Sequence, residues 1–182
     1  FDRMVNSGRA IHDHEPGTAR RALGMYRTAF WGVPARNTLD RATGILPELL
    51  YARLDELGID FAVLYPTAGL TVTGVPDDEL RRAMARAFNT YYAEAYAGLR
   101  DRLSPVAAIP MFTPEEAVAE IEHAVQVLGL KAVMLSGTIP RPLPGHEGSR
   151  AARWIDTLAH DSIHDYEPVW AACERLGVAA TF

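Results

Sequence analysis

Three times along this chain an amphipathic helical pattern ends in Leu-Gly, an aliphatic residue follows, and a run of β-type residues begins. The joints are Leu57-Gly58-Ile59, Leu128-Gly129-Leu130 and Leu176-Gly177-Val178. A glycine just past the last helical residue takes the left-handed conformation that ends a helix, and the aliphatic residue after it opens a buried strand. The runs that follow cover residues 59–65, 131–135 and 178–182, and a fourth, 106–109, comes after Pro105. All four are nearly continuous in apolar residues rather than alternating, as strands covered on both faces are.

The intervening segments read as helices. Thr113-Pro114-Glu115-Glu116 has the form of a capping box, with Pro114 at the first helical position and Val118, Ile121, Val125 and Leu128 along one face. From Asp77 to Leu99, acidic residues open the segment and Leu80, Met84, Phe88, Tyr91, Ala95 and Leu99 recur at spacings of three and four, which predicts one long helix. Shorter patterns run over residues 47–57 and 168–176. Helix and strand thus alternate, which argues for a parallel sheet with right-handed crossovers.

Such a sheet either closes into a barrel or stays open. Neither Gly-x-Gly-x-x-Gly nor Gly-x-x-x-x-Gly-Lys occurs, so the phosphate-cradling signatures of open sheets are absent and the barrel is favoured. A (β/α)8 barrel takes about 250 residues. With 182 residues and four strand patterns, the chain corresponds to roughly half of one. The expected fold is therefore a partial (β/α)8 TIM barrel in one incomplete domain, with a loop-rich segment over residues 1–45 and βα units over 46–182. A long excursion over 136–166 interrupts the second part.

Composition narrows the function. A formal charge of -5, with 18 Lys and Arg against 23 Asp and Glu, carries no footprint for nucleic acid or an anionic membrane. The single cysteine, Cys173, excludes an intramolecular disulfide and a multi-cysteine zinc site. It reads as a packed thiol. No stretch approaches the roughly 20 apolar residues of a membrane span. A cytoplasmic protein acting on a small molecule is expected, although the chain opens on Phe1 rather than on Met.

In α/β barrels the working residues stand at the C-terminal ends of strands and on the loops after them. Those places are Tyr65-Pro66-Thr67, Pro110-Met111 and Ser136-Gly137. The 136–166 connection far exceeds the usual two to six residues and reads as a lid, a substrate-binding excursion or an oligomer contact. It carries Arg141, His146, His160 and His164, and its 150–158 part suits a short helix. Tyr65, Thr67, Ser136, Arg141 and His146 are accordingly the candidate substrate-binding residues. His12-Asp13-His14 has the spacing that puts two imidazoles on one face of an extended strand, where they share a metal. The residues around it do not form a buried strand, so an exposed loop is the competing reading. His123 falls inside the capped helix as a partly exposed residue. The charged run 36–41 reads as a solvated loop.

Residues 54–67, Phe88-Asn89, Asp101-Arg102-Leu103, 106–110 and 165–170, taken in that order, resemble the amidohydrolase-related family. This is the branch of metal-dependent TIM-barrel hydrolases that includes aminocarboxymuconate semialdehyde decarboxylase and related nonoxidative decarboxylases. The resemblance extends over residues 31–182. It implies a divalent metal, commonly zinc, held by an Asp/Glu-x-His-x-His motif after strand 1, a His after strand 5 and an Asp after strand 8. Matched in order, the four strand patterns become strands 2 to 5. Strand 1 then precedes Phe1, the strand-5 His follows Phe182, and no metal ligand is expected in this chain, with His12 and His14 as the alternative.

The resemblance implies a metal-dependent hydrolase or nonoxidative decarboxylase acting on a small carboxylated or cyclic substrate, inactive as a half barrel. The rival reading is a noncatalytic barrel relative that binds a small molecule or a partner. Exposed strand edges in a half barrel also predict homodimer formation.

Overall fold

The computed structural model describes residues 38–67, 69–147 and 152–182. The chain divides into two units, Phe1–Ile45 and Leu46–Phe182. Of the first, helix α1 (Thr38–Thr43) is described. It forms where the charged run predicted a loop, with Asp40 in its first turn and Arg41 in its last, each suited to the helix dipole there.

The second unit is built on parallel strands. Strand β1 (Ala62–Leu64) pairs with β2 (Leu103–Pro105), Ala62 opposite Leu103 and Leu64 opposite Pro105. The chain runs on through Val106, whose N–H still donates to Leu64 at 3.0 Å, into β3 (Ala107–Ala108). There the extended stretch changes neighbour. Strand β3 pairs with β4 (Ala132–Met134), and β4 pairs with β7 (Ala179–Thr181), Met134 opposite Thr181. Every one of these pairs is parallel, and the strands lie side by side in chain order. The pairing of 103–105 lengthens the expected 106–109 strand at its N-terminal side, because the ladder tolerates Pro105 where no N–H is required.

All three Leu-Gly joints adopt the conformation that their sequence demands, with φ of 68° at Gly58, 67° at Gly129 and 60° at Gly177. Helix α2 (Pro47–Arg53) precedes β1, and the helices between the strands are α3 (Gly69–Val72), α4 (Asp78–Ala95), α5 (Pro114–Glu122) and α6 (Glu167–Leu176). Helix α4 starts where Asp77 accepts the Leu80 N–H at 2.8 Å and ends before a 3₁₀ turn over Ala97–Leu99. The Thr113 hydroxyl accepts the Glu116 N–H at 3.3 Å, so half of the predicted capping box forms. Its other half does not, because the Glu116 carboxylate instead accepts from the Phe112 N–H at 2.7 Å and pairs with Arg81 at 2.8 Å. Helix α5 gives way to a π turn over His123–Val127 instead of continuing to Leu128.

Ala107, Ile109, Val133 and Leu135 project from one side of the strands into a core shared with Ala117, Ile121 and Ala124 below and Val169 and Cys173 on α6. Val106, Ala108, Ala132 and Met134 form a second cluster, flanked by Phe88. The α4 stripe differs from the one that its apolar spacing predicts. Arg81, Ala85, Asn89 and Ala93 are buried, whereas Leu80 and Tyr91 are 45% and 63% exposed. Two polar residues turn inward because each meets a partner. Arg81 pairs with Glu116 and lies 3.8 Å from the centre of the Phe112 ring, while Asn89 donates to Glu120 at 2.8 Å. Hydropathy scores a paired charge as a surface residue, and here it belongs to the interior.

The 136–166 excursion is an antiparallel hairpin of β5 (Ile139–Pro142) and β6 (Arg153–Asp156), Arg141 opposite Trp154. Within the short helix expected over 150–158, residues 153–156 are therefore corrected to a strand. Trp154 and Ile155 favour a pleated surface, and the backbone of β6 finds its partners across the hairpin.

Candidate functional site

Residues that follow the C-terminal ends of β1, β4 and β7 enclose a cavity of about 430 Å³. After β1 come Tyr65, Pro66 and Thr67, and helix α3 adds Leu70, with Thr73 just beyond it. Strand β4 runs out through Leu135 into Ser136 and Gly137, and Phe182 stands after β7. Three of the five candidate substrate-binding residues, Tyr65, Thr67 and Ser136, are thus brought to one cavity.

Local packing explains how these side chains are held. Gly69 opens α3 directly against Pro66, and a Cβ there would stand 2.8 Å from Pro66 Cγ and 3.1 Å from the Ala108 Cβ. Only glycine lets this short helix approach the strands so closely, which places Leu70 and Thr73 at the cavity wall. The Ser136 hydroxyl donates to the Thr138 carbonyl at 2.6 Å, and the Thr73 hydroxyl points to Leu70 O at 3.4 Å. The hydroxyls of Tyr65 and Thr67 have no protein partner among the described residues. Phe182 borders Gly137 on one side and Trp170 on the other, with ring centroids 6.2 Å apart.

Arg141 and His146 lie elsewhere. Arg141 is buried, and each nitrogen of its guanidinium meets protein: Nε donates to Asp156 at 2.5 Å, one terminal nitrogen to the Phe112 carbonyl at 3.0 Å, the other to the Tyr166 hydroxyl at 2.9 Å. Tyr166 in turn donates to the Met111 carbonyl at 2.7 Å. The hairpin is thereby fastened to the segment that leaves β3, and Pro110 and Met111 are buried rather than presented to a ligand. Burial pushes the Asp156 carboxyl upward, but hydrogen bonds from Arg141, the Leu158 N–H and Ser162 outweigh it and hold its pKa below the ordinary value. His146 is exposed in the hairpin loop, with Nδ1 3.3 Å from Pro144 O. His12 and His14 lie outside the described residues.

A second cavity, of about 520 Å³, is lined by His160, Ser162, His164, Asp165 and Trp170 with their neighbours over 158–170. It draws on one continuous segment, whereas the strand-end cavity gathers residues from three separated ones, 65–73, 134–137 and Phe182. Among the described residues, no group of three or more His, Cys, Asp or Glu side chains could hold a metal ion. Nor is any helix among them long and apolar enough to cross a membrane. Leu70, Thr73 and Phe182 were not legible as site residues. The one signal in the sequence was Gly69, a glycine at the first position of a helix two residues after Thr67.

Parallel strands in chain order, crossover helices and a cavity at the strand carboxyl ends are the layout of α/β enzymes. The chain belongs to the amidohydrolase family, whose pattern matches residues 27–182. It is 26% identical over 171 residues to gamma-resorcylate decarboxylase of Rhodococcus jostii (strain RHA1), covering 93% of this chain and 48% of that one. The gamma-resorcylate decarboxylase of Rhizobium radiobacter is 25% identical over the same length, covering 93% and 47%. Among solved structures, a dihydroxybenzoic acid decarboxylase from Polaromonas sp. JS666, with bound manganese and the inhibitor 2-nitroresorcinol, superposes with a TM-score of 0.60. It is 25% identical, with 90% of this chain and 44% of that one covered. A 5-carboxyvanillate decarboxylase from Sphingomonas paucimobilis shares the fold, with a TM-score of 0.57 at 22% identity and coverage of 99% and 48%. The chain spans about half the length of the relatives it matches.

Proposed function

We propose that the complete protein is a metal-dependent nonoxidative decarboxylase of an aromatic carboxylate, and that this chain forms strands 2 to 5 of its barrel. The observation that carries this reading is the cavity at the ends of β1, β4 and β7 in a chain whose relatives are decarboxylases. Those relatives favour catalysis over a binding-only role and carbon–carbon cleavage over hydrolysis. They also favour manganese over the zinc that the resemblance implied, since the Polaromonas structure holds manganese.

No metal ligand is assigned to the described residues, which gather no group of three or more His, Cys, Asp or Glu side chains. Their part lies in the substrate. Tyr65 and Thr67 offer free hydroxyls, Ser136 a fixed one, and Phe182, Met134 and Leu70 the apolar surface on which an aromatic ring packs. The net reaction needs no oxidant. The bond from ring carbon to carboxylate breaks with its electron pair kept by the ring carbon, a proton takes the vacated position, and CO2 leaves.

The test is steady-state kinetics of the complete protein, supplied with Mn2+, on 2,6-dihydroxybenzoate, the ligand in a related decarboxylase structure. Tyr65→Phe and Thr67→Val should each raise KM about threefold to tenfold, the worth of one hydrogen bond. Variants with unchanged KM and kcat would remove these residues from the site.

A further inference from the structure

Resting on the decarboxylase reading, we propose that the strand-end cavity takes the hydroxyl-bearing part of the aromatic ring in its neutral phenolic form, with Ser136 as the acceptor that selects it. The substrate carboxylate lies outside this cavity.

The argument starts from donors and acceptors. A serine or threonine hydroxyl has one proton to give and two lone pairs to offer. The Ser136 proton is committed to the Thr138 carbonyl at 2.6 Å, a short bond across the bend at Gly137, so Ser136 faces the cavity with lone pairs. Thr73 repeats the arrangement more weakly, its proton directed at Leu70 O at 3.4 Å. An ionised carboxylate only accepts and is opposed by such groups, whereas a phenol donates and is matched by them.

Charge points the same way. Among the described residues, no Lys, Arg or His lines this cavity, and an anion desolvated against Met134, Leu135 and Phe182 without a cation is costly. The free Tyr65 and Thr67 hydroxyls then complete the pattern by donating to the phenolic oxygen. The match is to a ring with at least one unionised hydroxyl, and it discriminates against the same ring alkylated at oxygen.

The experiment is a titration of the full chain, kept in chelator so that metal plays no part, with resorcinol, 1,3-dimethoxybenzene and benzoate. Binding is followed by NMR shifts of the Ser136, Gly137 and Phe182 amides. Resorcinol should saturate these shifts, dimethoxybenzene should bind about tenfold more weakly, and benzoate should bind no more tightly than dimethoxybenzene. Ser136→Ala should erase the preference for resorcinol over its dimethyl ether, and Ser136→Thr, which keeps the hydroxyl, should retain it. Equal binding of resorcinol and dimethoxybenzene, tighter binding of benzoate, or no saturation by resorcinol would overturn the proposal. None of these measurements involves turnover, so a complete protein that fails to release CO2 would contradict the decarboxylase reading alone.

Discussion

Asn89 does with one side chain what a neighbouring strand does with its backbone. Its amide nitrogen donates to the Ala108 carbonyl at 3.0 Å, and its oxygen accepts the Ala108 N–H at 2.8 Å, where β3 has moved beyond the reach of β1. Asn89→Ala should leave both backbone groups buried and unpaired. The expected cost is about 2–4 kcal/mol, seen in chemical denaturation, with the Ala108 amide losing its protection from hydrogen exchange. A second polar centre is Arg141 with Asp156. Asp156→Asn removes one charge from a buried pair and should cost about 3 kcal/mol. The folded pKa of Asp156 lies below its unfolded value, so its contribution is complete above the ordinary carboxylate range and fades as pH falls through the folded value. Wild-type stability should therefore drop more steeply in acid than that of Asp156→Asn, and parallel slopes would contradict this account. Sequence reasoning placed Arg141 on an excursion near a strand end, which is where it lies, but pointed it at substrate. Its role was hidden because Asp156 and Tyr166 are 15 and 25 positions away and meet it only through the hairpin.

At the scale of elements, the recurrent Leu-Gly joints made the strands and their order readable, because each glycine enforces a local conformation independent of the rest of the fold. The hairpin escaped, since the pairing of β5 with β6 depends on a long connection whose ends meet only in three dimensions. Helix α3 escaped as well, with four residues and no periodicity to detect. Its position rests on Gly69. Gly69→Ala should drive Pro66 or α3 away from Ala108, destabilise the fold by about 1–3 kcal/mol and displace Leu70 and Thr73 from the cavity. Thermal denaturation measures the first effect. Weaker resorcinol binding with the Ser136 shifts retained would register the second. Unchanged stability and binding would show that α3 adjusts without strain. The end of β6 is held in a comparable way: Leu158 takes a φ of 60° with its N–H on Asp156 at 2.9 Å, a conformation that the buried carboxylate supports.

For the molecule as a whole, β1 and β7 each have one strand neighbour among the described residues, and Phe61, Val63 and Tyr65 along β1 are about half exposed, at 52%, 48% and 51%. A cavity of about 570 Å³ opens at the opposite ends of the strands, lined by Phe61, Val63, Lys131 and Ala179 among others. The relatives that this chain matches are about twice as long. The family and its parallel strands were legible from scaffold residues such as 54–67 and 165–170. The chemistry was not, because the resemblance rests on scaffold residues and includes none of the metal ligands that declare it in the family. Chelation should accordingly abolish turnover by the complete protein while leaving resorcinol binding to this chain intact. The most direct measurement is incubation of the complete protein and Mn2+ with 2,6-dihydroxybenzoate in D2O, with product analysed by mass and NMR. Decarboxylation predicts CO2 and resorcinol in equal amounts, with one deuterium on the carbon that carried the carboxyl group. Unchanged substrate, or a product formed without CO2, would contradict it.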